Sequence, residues 1–351
     1  MKFDVVVGNP PYQEETHGRE TANGQKRVKS IFPVFQELAD TIAQGSACLI
    51  YPGGRWIHRS GKGMTKFGLA QINDPHLKTL MFFKDSGELF DGVGISDGVS
   101  VVLKDYHKND NTFNYEYFDH QVHISVTRQF PGEDLLQLNP QDESVVAKMD
   151  AFVADHGLKY LHDSIFSQKL FQIESDFVEK HPNDVTPYSG QTFDEKHTVK
   201  VLTNDKAGKS GRAKWFLVDR SKIPANHALI DEFQVIVSSA NAGGQKRSNQ
   251  IDIADNHSAF GRARLALKSF KTEVEAENFL KYASSTLIKF AFLMTDESLT
   301  SLAKKVPDLI DYTSSNNYIN YSLNVDDQVN KLFGITDEEI TYMMSQIPDR
   351  D

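Results

Sequence analysis

The order of apolar and polar positions near the start of the chain predicts a strand, a helix and a second strand. Residues 3–7 and 47–51 are apolar runs, which are typical of buried strands. Between them, apolar side chains recur at helical spacing from Ile31 to Ile42, and Ser30 is a candidate N-cap for this helix. A strand, a helix and a strand in this order predict a right-handed parallel unit of an α/β fold.

Further apolar segments extend this pattern and divide the chain. Residues 67–72 predict a helix, and residues 80–83 and 99–103 predict strands, whereas polar residues 13–29 predict a mobile loop. A polar stretch at 105–114 marks a boundary, so we expect one domain at 1–110 and a second at 111–351. The second mixes helical patterns at 145–153 and 273–294 with a strand at 233–237, which predicts an α+β domain.

The first predicted strand ends at a sharp turn. Gly8 is followed by Asn9, Pro10, Pro11 and Tyr12, and proline cannot donate a hydrogen bond to a strand ladder. The carboxyl ends of strands in open α/β sheets are where ligands bind. There, a side-chain amide oxygen and a proline carbonyl can accept both hydrogens of a nucleobase amino group, while a tyrosine ring stacks on the base. The alternative is a plain turn with a surface tyrosine.

Residues 3–12, with the sequence Phe-Asp-Val-Val-Val-Gly-Asn-Pro-Pro-Tyr, resemble the catalytic motif of the DNA adenine-N6 methyltransferases. The resemblance implies double-stranded DNA as substrate, S-adenosylmethionine as methyl donor and an adenine that leaves the duplex. It implies catalytic roles for Asn9, Pro10, Pro11 and Tyr12, and it implies that Tyr12 stacks on the target base. It also implies a partial Rossmann-like methyltransferase sheet, starting at the strand before the motif, and then an α+β target recognition domain.

Two later segments extend the resemblance. Residues 52–56, Pro-Gly-Gly-Arg-Trp, are similar to a strand-end segment that follows the catalytic motif in this family. Residues 88–90, Glu-Leu-Phe, precede the valine-rich residues 99–103 and are similar to a later turn of the family. That turn implies Phe90 as a second ring against the target base. The alternative is a core phenylalanine at a turn.

The segment that would bind the methyl donor is missing from the pattern. Glycine lets a backbone approach a nucleotide, and an acidic residue about twenty positions later holds the ribose. None of the three glycine sites, at residues 92–94, 243–244 and 261, lies between an apolar strand and a helix with such an acid. We therefore expect incomplete binding of S-adenosylmethionine, an open edge of the sheet, and a cofactor-binding half that a separate chain can supply.

Composition narrows the class of protein. The chain has 351 residues, 39% of them hydrophobic, and a net charge of −10, which argues against binding nucleic acid by overall attraction. The single cysteine, Cys48, lies in an apolar run and is expected to be a core residue. The sequence shows neither an apolar stretch of membrane-spanning length nor a signal-peptide pattern, so we expect a cytoplasmic protein.

DNA contact must then come from local basic patches. Residues 196–214 carry six basic residues and one acid, and several glycine-bearing loops elsewhere are basic and polar. Solvated loops with no ligand are the alternative. The candidate DNA-binding residues are Arg55, Lys62, Lys206, Lys209, Arg212, Lys246, Arg247, Arg262 and Arg264.

The chain is therefore expected to be a fragment or subunit of a type II or fused restriction-modification methylase, without a metal ion. The helical residues 273–294 and a closing helix pair with a capping box at Thr336 and Glu339 also resemble the family's recognition domains. Two alternatives stay open. The chain could be a noncatalytic DNA-binding module or remnant, or it could methylate amino groups of RNA or protein. Residues 194–196, Asp-Glu-Lys, are too weak a pattern to indicate a nuclease.

Overall fold

The computed structural model describes residues 2–15, 28–59, 63–95, 97–208, 210–238, 251–294 and 302–347. They form two compact units, Met1–Glu143 and Ser144–Asp351. Both units combine helices with strands, and the largest sheet contains parallel strand pairs, so the fold is mixed α/β.

The first unit is built on one mixed sheet. Its described elements are β1 (Phe3–Gly8), β2 (Gln13–Glu15), β3 (Val28–Ser30), α1 (Phe32–Ile42), β4 (Ala43–Pro52), α2 (Met64–Ile72), β5 (Leu77–Phe83), β6 (Val99–Asp105), β7 (Thr112–Asp119) and β8 (Val122–Gln129). The sheet has the order β1-β4-β6-β5-β7-β8. The predicted unit of strand, helix and strand is confirmed, because β1 and β4 are parallel and α1 connects them.

The first strand is not buried as predicted. β1 is the last strand on its side of the sheet, and Phe3, Val5 and Val7 are 45%, 60% and 74% exposed. An edge strand keeps one row of backbone groups unpaired, and no described element covers these three side chains. The expected open edge is thus present among the described residues.

Helix α1 also differs from its prediction. Ser30 does not cap it, because Ser30 lies in β3 and Ile31 is the residue before the helix. Phe32 and Ala39 are buried, whereas Val34 and Leu38, which were predicted to face the sheet, are exposed. The helix therefore has an apolar strip that the first unit leaves uncovered.

Two predicted boundaries shift in the structure. β7 pairs in parallel with β5, from Thr79 opposite Asn114 to Phe83 opposite Phe118, so the first unit continues well past residue 110. The predicted loop at 13–29 contains a short hairpin, because β2 pairs with β3. Residues 16–27 of that loop lie outside the described ranges.

A buried ionic network fastens the helices to the sheet of the first unit. Lys104 of β6 is fully buried, and its ammonium group donates to Asp40 of α1 at 3.1 Å and to Asp74 after α2 at 2.6 Å. The Tyr106 hydroxyl donates to the same Asp40 at 2.7 Å. Burial and this carboxylate raise the pKa of Tyr106, so its hydroxyl remains a donor.

The second unit contains short sheets and a helical cluster. Its described elements are α3 (Glu143–Asp155), which starts at the unit boundary, β9 (Lys159–Tyr160), α4 (Phe177–Lys180), β10 (Val185–Pro187), β11 (Thr198–Asn204), β12 (Ala213–Asp219), β13 (Phe233–Ser238), β14 (Asp252–Ala254), β15 (Ser258–Phe260), β16 (Arg264–Phe270), α5 (Glu273–Ala283), α6 (Thr286–Leu293), β17 (Pro307–Asp308), α7 (Val325–Leu332) and α8 (Asp337–Gln346). The sheet orders are β10-β12-β11-β15, β14-β13-β16 and β17-β9.

The predicted helix at 273–294 is two helices. α5 ends at Ala283 and α6 begins at Thr286, whose backbone N–H donates to Asp326 at 2.5 Å. The helical spacing of apolar residues continues across the boundary between α5 and α6, so the sequence pattern did not show that the helix is interrupted. The capping box at Thr336 and Glu339 is confirmed at the start of α8.

Candidate active site

The turn after β1 lies at the carboxyl end of the parallel pair β1 and β4. Gly8 stands opposite Leu49, and β1 ends there. On the other side of the turn, the Ile31 backbone N–H donates to the Tyr12 carbonyl at 3.0 Å, and the hairpin of β2 and β3 follows at once. The turn is therefore held between a sheet and a hairpin.

One cavity of about 340 Å³ joins this turn to a distant segment of the first unit. It is lined by Asn9, Pro10, Pro11, Tyr12, Phe90, Val93 and Ile95. This volume lies within the range of small-ligand sites. The structure thus brings the predicted catalytic residues and Phe90 to one cavity. Val93 and Ile95 were not predicted, since an apolar residue in a loop carries no signal of its own.

The side chains of the turn differ in exposure. Pro10 is buried, Tyr12 is half-buried, and Asn9 is exposed. Among the described residues, the Asn9 amide has no hydrogen-bond partner, so it is available to a ligand. Burial raises the pKa of the Tyr12 phenol, so the ring carries no charge at neutral pH. A neutral ring and a free amide suit an uncharged planar ligand with an amino group.

Phe90 is half-buried and lies on the cavity. It belongs to the segment between β5 and β6 that also carries Val93 and Ile95. We name residues 86–95, 97 and 98 the wall segment.

The wall segment is fixed to the end of β4. The Gly53 and Gly54 backbone N–H groups donate to the carbonyls of Gly98 and Asp97, each at 2.8 Å. A β-carbon at Gly53 would lie 1.6 Å from the Asp97 oxygen, so only glycine allows this approach. Residues 52–56, which are similar to a strand-end segment of the methyltransferase family, therefore hold a cavity wall in place. Trp56 is fully buried, and its indole N–H donates to Ser100 Oγ at 2.8 Å, so it packs in the core.

The candidate DNA-binding residues fall into three groups. Lys62, Lys209, Lys246 and Arg247 lie outside the described residues. Lys206 and Arg212 are exposed in the loop between β11 and β12, and the Arg55 side chain, 51% exposed, lies 3.7 Å from Asp97. Arg262 pairs with Glu174 at 3.1 Å, and burial lowers the pKa of the half-buried Arg264.

The positive charge of residues 196–214 is partly offset by an acid outside that span. Lys200 pairs with Asp255, which lies far away in the sequence, and Lys214 pairs with Asp205 at 2.7 Å. Lys214 and the Arg212 backbone N–H lower the pKa of Asp205 to about 2, so this carboxylate stays charged at neutral pH. Lys206 and Arg212 are exposed on the described part of the loop between β11 and β12, which we call the basic loop.

Neither of the two candidate glycine sites that the structure describes has the geometry of a nucleotide-binding turn. Gly92 has a φ of 72° in the wall segment, and no helix follows this turn before β6. Gly261 lies between two strands, β15 and β16, and residues 243–244 are outside the described ranges. Neither described glycine therefore forms the turn from a strand into a helix that a nucleotide needs.

Cys48 is half-buried, and burial raises the pKa of its thiol, which argues against a reactive cysteine here.

The described ranges contain neither a candidate metal cluster nor a candidate membrane-spanning helix. In the part of the chain that the structure describes, no group of three or more His, Cys, Asp or Glu side chains is placed to hold a metal ion. None of the described helices is long and apolar enough to cross a membrane.

Comparison with known proteins connects this site to a family. Residues 1–90 of the 351 match the family model described as Eco57I restriction-modification methylase. The matched residues include the turn at 9–12 and Phe90. The match supports restriction-modification methylases as the class to which this part of the chain is related. No curated protein matches the chain.

Solved structures that resemble the chain come from restriction-modification systems. The type IIL restriction-modification enzyme MmeI in complex with DNA has 11% identity and a TM-score of 0.38, covering 97% of this chain and 57% of that chain. The type IIG restriction endonuclease BpuSI has 10% identity and a TM-score of 0.32, covering 99% and 51%. The type I methyltransferase subunit from Streptococcus thermophilus has 15% identity and a TM-score of 0.25, covering 34% and 28%. The chain thus spans 28% to 57% of the lengths of these three proteins.

Proposed function

We propose that this chain carries the amino-group site and the DNA-recognition part of an adenine-N6 DNA methyltransferase from a restriction-modification system. The observation that carries the proposal is the cavity that joins residues 9–12 to Phe90 within the family-matched segment. In this proposal the first sheet is part of a Rossmann-like methyltransferase sheet, and the second unit is the target recognition domain.

The proposed mechanism concerns the adenine amino group. The Asn9 amide oxygen and the Pro10 carbonyl oxygen accept its two hydrogens and draw its lone pair out of conjugation with the ring. Positive charge develops on the nitrogen during methyl transfer, and both oxygens stabilise that charge. Tyr12 and Phe90 contact the base after it leaves the duplex, which offsets part of the cost of unstacking. Pro11 fixes the backbone so that Tyr12 stays on the cavity.

The methyl donor is held elsewhere in this proposal, on a cofactor-binding half that docks against β1. The edge of β1 offers unpaired backbone groups, and Phe3, Val5 and Val7 are exposed beside it. Val34 and Leu38 add an apolar strip on α1. A further strand with its own helix would pair with β1 and cover these side chains. In this proposal, a longer chain or a separate subunit supplies this half.

The isolated chain is expected to bind S-adenosylmethionine weakly or not at all, since neither described candidate glycine lies in a turn from a strand into a helix. Isothermal titration of the chain with S-adenosylmethionine measures this directly. A dissociation constant of about 10 μM or below would contradict the assignment of the donor site to another part.

A second prediction concerns the basic loop of the second unit. Reversing the charges of Lys206, Lys209 and Arg212 together is expected to weaken duplex binding. It should also reduce the slope of log affinity against log salt by about one for each cation that meets a phosphate. Affinity is measured by fluorescence anisotropy of a labelled duplex at several salt concentrations.

The matched control reverses Lys159, Lys271 and Lys331, three exposed lysines of the second unit outside that loop. It changes the net charge equally but should leave the salt slope close to that of the wild-type chain. Equal effects of the two triple variants would mean that the loop has no specific role in DNA binding.

One observation favours a second candidate function, a noncatalytic DNA-binding module. Neither Gly92 nor Gly261 lies in a turn from a strand into a helix that could bind the methyl donor. This candidate predicts DNA binding without methyl transfer even after a cofactor-binding half is supplied. The proposed function predicts transfer under those conditions.

A further inference from the structure

One buried serine holds every cavity residue of the wall segment. Ser86 is 1% exposed and begins a 3-10 turn, Ser86–Glu88. Its carbonyl accepts the backbone N–H of Phe90 at 2.9 Å. Its hydroxyl donates to the Val93 carbonyl at 2.6 Å and accepts the Ile95 backbone N–H at 2.8 Å. Phe90, Val93 and Ile95 are therefore all bonded to the same residue.

These bonds from Ser86 add to two other backbone bonds of the segment, from the Val93 N–H to the Phe90 carbonyl at 3.3 Å and from the Gly98 N–H to the Ile95 carbonyl at 3.0 Å. Gly92 and Gly94 have open space where a side chain would begin, and Val93 is 45% exposed. The far end of the segment is held by the bonds from Gly53 and Gly54. Ser86 is the corresponding anchor at the near end, and its hydroxyl ties residues 93 and 95 back across the loop.

We propose that Ser86 is a positioning residue that sets the width of the cavity by holding Phe90, Val93 and Ile95 opposite the turn at 9–12. The proposal rests on the proposed function for its ligand, an extruded nucleobase. The serine does not touch the base. It acts through three neighbours, and the specificity of the cavity for a flat ring depends on this fixed apolar wall.

The two hydrogen bonds of the Ser86 hydroxyl explain why a serine is suited to this position. A hydroxyl can donate to one backbone group and accept from another at the same time, which no apolar side chain of this size can do. Removing it leaves a backbone carbonyl and a backbone N–H of the loop without a partner. The loop would then sample other conformations, because the glycines at 92 and 94 permit them.

The test compares Ser86→Ala with the wild-type chain in two measurements. Amide hydrogen exchange at Ile95 reports whether the wall is held. A titration followed by the methyl NMR signals of Val93 and Ile95 reports base binding, with a duplex that carries one adenine opposite an abasic site as the probe. We expect faster exchange at Ile95 and affinity for this duplex lowered by about tenfold, since two hydrogen bonds are lost.

Two further variants separate positioning from general stability. Tyr106→Phe removes another hydroxyl hydrogen bond of the same unit, the one to Asp40 at 2.7 Å, and should change thermal stability without changing Ile95 exchange or duplex affinity. Ser86→Cys keeps the shape with a weaker donor, and it should fall between wild type and Ser86→Ala in both measurements. If Ser86→Ala does not fold, Ser86→Cys is compared with the wild type in the same two measurements.

The outcomes distinguish this proposal from the proposed function. Unchanged Ile95 exchange and unchanged affinity in the Ser86 variants would overturn the role of Ser86. If the Val93 and Ile95 signals of the wild-type chain do not change on addition of the duplex, the base-binding function is contradicted. If Ile95 exchange is nevertheless faster in the Ser86 variants than in the wild type, Ser86 is still supported as the anchor of the wall.

Discussion

Replacing Asn9 by alanine is expected to lower methyl transfer by about a hundredfold to a thousandfold in an enzyme completed with a cofactor-binding half. The amide oxygen has its largest effect as positive charge develops on the amino nitrogen, so the loss falls on the transition state. Duplex affinity should stay nearly unchanged, because Asn9 is one exposed side chain outside the basic loop. Methyl incorporation and duplex affinity are measured on the same preparation.

Two comparisons make this result specific. Gln13→Ala removes another exposed amide directly after the turn, one that does not line the cavity, and it should leave the rate close to that of the wild type. Tyr12→Ala should weaken capture of the extruded base as well as the rate, because stacking contributes about 1–3 kcal/mol per base. An Asn9→Ala enzyme with the parental rate would contradict the catalytic role of the turn.

Replacing Lys104 by methionine is expected to destabilise the first unit by about 3 kcal/mol. The side chain is 0% exposed, and methionine keeps most of its stem while removing the charge that both Asp40 and Asp74 share. Those carboxylates would be left without their cation. Since they are 33% and 20% exposed, water can partly solvate them, which places the effect at the lower end of such losses.

The measurement uses the two tryptophans of the chain, one in each unit. In a Trp215→Phe background, urea unfolding followed by fluorescence reports Trp56 and therefore the first unit. The control is Lys78→Met, whose side chain is 54% exposed and pairs with Asp105 at 3.0 Å, and which should cost under about 1 kcal/mol. Equal losses for Lys104→Met and Lys78→Met would show that the buried network does not stabilise the sheet.

The turn at residues 9–12 could be predicted from sequence because its chemistry is local. Two prolines after a strand exclude continuation of the ladder, and the amide and the ring stand beside them. Phe90 was predicted as a site residue only from the resemblance to the DNA adenine-N6 methyltransferases. Val93 and Ile95 became visible once the fold placed the wall segment on the same cavity, since their spacing alone predicts nothing.

Other features depend on partners that the local pattern cannot show. The first strand was predicted to be buried, yet it is an edge strand with Val7 exposed, because apolar runs do not reveal which strands flank them. The first unit extends past residue 110 because β7 pairs with β5 across a polar connection. The positive charge of residues 196–214 was overestimated from the sequence, because Asp255, which pairs with Lys200, lies far away in the sequence.

The most direct test of the central claim is the identity of the methylated nucleoside. The completed enzyme is incubated with duplex DNA and labelled S-adenosylmethionine, the DNA is digested, and the products are identified by mass spectrometry. We expect labelled N6-methyladenine with the wild-type turn, and its loss with Asn9→Ala. Label on another base, or N6-methyladenine formed equally by Asn9→Ala, would contradict the proposal that residues 9–12 bind the adenine amino group for methyl transfer.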